Sequence, residues 1–218
     1  MVEQSGGLIT VRASVSNFGA GHDFPTGVSI RNALLVLSAE VAGSPLNQAS
    51  GPTVPEWADD DVPGQQEGDY AGMPGTGFAK ILEGRINGEG DPVWPVLFVD
   101  AEVVREKSTI PSGGTHVTEV VFNAPPAVLL GSPLRVEARL LYRRAFRALA
   151  VTKGWTVTPQ GGDIEIEVAN EAVDTILGTA SADIPTLDSK GLLALILLLL
   201  LVGFVQLQRN RGVSRTQP

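Results

Sequence analysis

The chain has 218 residues and no cysteine, which leaves room for one large or two small domains and excludes disulfides, thiolate metal sites and cysteine nucleophiles. Twenty-five glycines and fifteen prolines without a periodic repeat favour a turn-rich β protein over a helical one. The net charge is -8, and residues 1–189 hold twelve bases against twenty-four acids, so nucleic acid is excluded as a partner for want of cations to release phosphate counterions.

The first element is the strand "LITVRASVS", with Val11, Ala13 and Val15 on one face and Thr10, Arg12, Ser14 and Ser16 on the other. It runs into "NFGAGHDFPTG", residues 17–27, where one of the two histidines lies among three glycines, a proline and two phenylalanines. His22 there has three chemical readings. It is a turn residue bonded to the backbone, a metal or haem ligand if an imidazole nitrogen is exposed, or a general base if a nucleophile is near. No G-x-S-x-G or paired-carboxylate pattern accompanies it, so no enzyme is expected.

"NALLVLSAEV" is continuously apolar and then alternates, as suits the central strand of a sandwich. Residues 42–78 read as a long insertion, since they are poor in β-branched residues. Their acids Asp59, Asp60 and Asp61 form a weak calcium candidate without the spacing of an EF-hand, and a solvated acidic loop is the plainer reading. Further on, "GGTHVTEVVFNA" places His116 at the start of a strand, where an exposed position is expected.

"LRVEARLLYR" aligns Val136, Ala138, Leu140 and Tyr142, and "DIEIEVA" sets Ile164, Ile166 and Val168 against three acids. Between these two, "YRRAFRALAVTKGW" reads as a strand running into a short helix or as a basic patch. Arginines 143, 144 and 147 snorkelling over a sheet edge are the simplest arrangement. Short strands punctuated by Pro and Gly predict a mainly β fold, an antiparallel β-sandwich over residues 1–175, with an immunoglobulin or FN3-like topology as a guess.

After a linker at 176–190, residues 191–207 are uncharged, and they predict a transmembrane helix followed by a basic tail at 208–218. The arginines of that tail predict a cytoplasmic C-terminus and an N-terminal domain outside, as in a single-pass protein of a bacterial inner membrane or envelope. "MVEQSGGLITVRASV" has no basic n-region or apolar h-region, which suggests a start inside a longer reading frame. Before the apolar run stands Ile184, Pro185, Thr186 and Leu187, which resembles the IPTL-CTERM sorting signals. That resemblance implies an exosortase-like sorting enzyme as a partner, although Asp188, Ser189 and Lys190 replace the usual continuation.

"VSNFGAGHDFPTGVSIRNALLVLSAEVAG" resembles the G-A-G-H-x-F-P-T-G segment downstream of the C-x-x-C-H repeats in multihaem c-type cytochromes of the cytochrome c554 group. Weaker echoes, "GFAKILEG", "VDAEVVREKSTIPSGGTHVTEVVFNAPP" and "PLRVEARLLYRRAF", extend the likeness over residues 8–170. The resemblance implies that His22 approaches a haem iron as distal ligand, in a loop shaped by Gly19, Gly21, Phe24, Pro25, Thr26 and Gly27. No C-x-x-C-H is present, so this chain binds no haem covalently, and any haem c belongs to an upstream segment or a partner cytochrome subunit. The expected role is that of an extracytoplasmic accessory domain in electron transfer, with a surface-displayed adhesion or structural domain as the alternative.

Overall fold

The computed structural model describes residues 1–59, 67–126 and 129–178. In chain order the strands are β1 (Val2–Ser5), β2 (Leu8–Ser16), β3 (Asn32–Val41), β4 (Ser44–Pro45), β5 (Gln48–Ser50) and β6 (Gly75–Gly84). They continue as β7 (Ala101–Ser108), β8 (Thr115–Asn123), β9 (Pro133–Arg143) and β10 (Glu165–Ile176), with the helix α1 (Arg147–Lys153) before β10. One sheet has the order β1-β2-β8-β5 and the other β10-β9-β3-β6-β7, with β4 paired to β3, and every pairing is antiparallel.

The two sheets face one another across a core of Ile9, Val11, Leu35, Leu37, Val41, Phe78, Val120, Phe122, Leu134 and Val136. Period-two alternation puts these residues on one side of each strand. On β3 the alternate residues Leu34 and Val36 are buried as well. They belong to a second core on the outer face of the larger sheet, with Val54, Trp57, Ala58, Ala79, Ile81, Leu141 and Phe146. A strand covered on both faces has no polar side, and this accounts for the unbroken apolar start of "NALLVLSAEV".

The segment 42–78 supplies much of that second layer. It holds β4, β5, a 3-10 turn at Glu56–Ala58 and the first residues of β6, and Val54 N donates to Met73 O at 2.8 Å while Gly75 N donates to Pro52 O at 3.1 Å. These bonds tie residues 52–54 to residues 73–75.

The expected C-terminal transmembrane helix is corrected. Among the described residues no helix is long and apolar enough to cross a membrane. With seven residues, α1 spans about 10 Å at 1.5 Å per residue, against a hydrocarbon core of about 30 Å. The run 191–207, the tail 208–218 and the motif Ile184, Pro185, Thr186 and Leu187 lie outside the described residues. Among the described residues the fold class is two antiparallel sheets, and no helix there is of membrane-spanning length. Single-pass topology, envelope localisation and sorting-signal recognition gain no support and are dropped.

Candidate functional site

The loop between β2 and β3 is shaped by Asn17, a buried residue at its first position. The Asn17 amide donates to His22 O at 2.8 Å and to Ile110 O at 2.9 Å, while its backbone N donates to Gly114 O and its carbonyl accepts from Gly113 N. Phe24 N and Ile110 N exchange bonds with each other's carbonyls at 2.8 and 2.7 Å, tying residues 17–24 to the loop before β8. Ser112 Oγ donates to Ala20 O. Asn17, bonded through its backbone and through its side chain, and the Phe24–Ile110 pair fix the loop at both ends of residues 17–24.

Below this frame Pro25 is buried and follows a cis Phe24–Pro25 peptide. The Phe24 ring lies 6.2 Å from Tyr142 of β9, which joins the loop to the inter-sheet core. Gly19 and Gly27 take φ of 84° and 92°, a region that side chains avoid. A Cβ on Gly27 would also stand 2.8 Å from the Arg31 guanidinium. Gly21 and Thr26 are exposed, and Phe18 is 95% exposed.

His22 stands on the outside of the loop. Its Nδ1 lies 3.1 Å from the carbonyl oxygen of Asp23. A carbonyl only accepts, so Nδ1 is the donor in this contact, and Nε2 is the ring nitrogen left for any other partner. Asp23 is held in turn by Lys107 Nζ at 2.7 Å and by Thr109 Oγ1 at 3.1 Å. The hydrogen bond from Lys107, followed by that from Thr109, holds the Asp23 carboxyl below the usual carboxylate range.

His116 differs from its expectation. It is half-buried opposite Val15, with its ring edge-on to Phe78 at 5.1 Å and 88°. Turned toward Phe78 of the inter-sheet core, it is a packing residue, two residues after the Gly114 that bonds Asn17.

Asp59 is likewise committed elsewhere. It accepts from Tyr70 N and Ala71 N and pairs at 3.0 Å with Arg143, whose side chain is 2% exposed. Asp60 and Asp61 lie outside the described residues. Among the described residues no three His, Cys, Asp or Glu groups come together as a metal site. Arg143 is no snorkelling residue, since burial and a set of fixed acceptors replace solvent around its guanidinium. Asn17 and Arg143 had no signal in strand periodicity, because both point into the molecule through polar groups whose acceptors come from distant segments.

The residues present fit one part of a haem site and not the other. An exposed imidazole whose Nδ1 faces a backbone carbonyl, on a braced loop, suits an axial ligand through Nε2. Covalent attachment has no cysteine to use.

No protein-family model matches the sequence, and no curated protein matches it. Among solved structures, the fold is similar to that of a penta-heme cytochrome c552 from Thermochromatium tepidum. The TM-score is 0.51 at 19% sequence identity, over 80% of this chain and 38% of that one. The chain thus matches well under half the length of that cytochrome, and the likeness is one of fold.

Proposed function

We propose that this β-domain is an accessory module of a multihaem electron-transfer system, packing against a haem-bearing segment and offering His22 to an iron held there. The observation that carries the reading is the exposed His22 imidazole, with Nδ1 against Asp23 O and Nε2 unengaged by that contact, on a loop braced by Asn17. The fold likeness to part of a penta-heme cytochrome supports the choice of partner.

The chain's own contribution is orientation. Asp23 O holds the ring through Nδ1, Lys107 and Thr109 hold Asp23, and the bonds between Phe24 and Ile110 hold the strand-like segment beneath. Bound haem supplies the electron-accepting centre. Nε2 would be the atom of His22 that holds the iron, since Nδ1 is engaged by Asp23 O.

The test is a titration of the full chain with a c-type haem peptide that carries one histidine ligand and an open sixth position. A low-spin Soret spectrum is expected with the wild type and with His116→Ala, and a high-spin one with His22→Ala. A low-spin spectrum that persists in His22→Ala, or never forms in the wild type, overturns the reading.

A further inference from the structure

The same end of the sandwich carries a groove that the His22 reading leaves unused. Its volume is about 540 Å³, and it is lined by Ile30, Ala145, Trp155, Val157, Pro159 and Ile164, with Arg144 as its only charged residue. That size lies within the range of small-molecule sites.

The walls are built and not accidental. Arg144 N donates to Ile164 O at 2.8 Å, Trp155 N closes α1 on Ala150 O, and Thr158 N donates to Gly162 O in the turn between the Val157 and Asp163 bridge partners. Trp155 and Val157 are nevertheless 45% and 53% exposed.

Arg144 differs from most of the other arginines in its lack of an ion pair. Arg12, Arg85, Arg105, Arg135, Arg139, Arg143 and Arg147 all form ion pairs with carboxylates. Among the described residues only Arg31 and Arg144 are arginines without such a partner; Arg144 lines this groove, whereas the Arg31 guanidinium lies against Gly27. In a chain with a net charge of -8, a guanidinium left unpaired above an apolar floor selects an anionic group on an apolar body.

We infer that the groove binds an apolar carboxylate, with Arg144 taking the carboxylate and Trp155, Val157 and Ile164 the apolar body. Two sources share this chemistry: a porphyrin dicarboxylate and a fatty carboxylate. The site is independent of His22, because neither ligand needs an iron.

Calorimetric titration of the full chain with iron-free mesoporphyrin, and separately with dodecanoate, tests it. Saturable binding of one of them is expected, and which one binds identifies the source. Arg144→Gln should weaken it about tenfold or more, as loss of a charge-assisted bond does. Trp155→Ala should weaken it too. Lys153→Gln, which removes an equal charge from the last turn of α1, and His22→Ala should leave it unchanged. Absence of binding by both ligands, or equal weakening by Lys153→Gln and Arg144→Gln, overturns the site.

Discussion

Arg143 shows how much one side chain ties together. Its guanidinium bonds to Glu165 at 2.6 Å, to Asp59 at 3.0 Å and to the carbonyls of Ala58 and Gly68, with the Tyr70 ring 5.4 Å away. Removing it takes the close guanidinium from the buried Asp59 carboxylate, which keeps the amides of Tyr70 and Ala71, and leaves the Ala58 and Gly68 carbonyls without their donor, so Arg143→Ala should cost about 3 kcal/mol in urea unfolding. Asp23 supplies a pH-dependent prediction. Its folded pKa is depressed, chiefly by the bond from Lys107, so its stabilisation is whole above the unfolded value near ~3.9 and is lost as pH falls through the folded value. A carboxyl NMR titration should place Asp23 below ordinary aspartates, and Lys107→Ala should raise it. Both arginine and aspartate were visible as letters, but their partners lie 84 and 84 residues away in sequence for the pairs Arg143–Asp59 and Lys107–Asp23.

At the scale of elements, strand periodicity carried most of the reading. β2, β3, β8 and β9 coincide with the segments that alternation marked, and Val136, Ala138, Leu140 and Tyr142 do share the face toward the inter-sheet core. The stretch 42–78 was not legible in this way, because its order comes from covering the outer face of β3 and β6 and not from any periodicity of its own. Trp57 is its anchor there, lying over Gly77 of β6, where an added Cβ would meet the indole at 2.6 Å. Gly77→Ala therefore forces the ring outward and should cost about 1–3 kcal/mol, read as a lower thermal midpoint. A sandwich face with a strand-rich sequence gives no hint that a neighbouring loop will seal it.

For the molecule as a whole, closure of the core depends on Leu177, which follows β10 and is 2% exposed. Its N donates to Ser132 O, and its carbonyl accepts from Gly131 N. Leu177→Ala should cost about 2–5 kcal/mol by opening a cavity between the sheets, seen as a shift of the denaturant midpoint without a change in slope. The sequence by itself determined the β class, most strands, the exclusion of covalent haem and the shape-bearing letters of residues 17–27, because composition and alternation are local properties. Only the tertiary structure decided which sheet each strand joins and that Arg143 is buried. It also decided that His116 packs while His22 is exposed, and that Arg144 meets an apolar groove. Each of these depends on which distant backbone groups and carboxylates the fold brings within hydrogen-bonding reach.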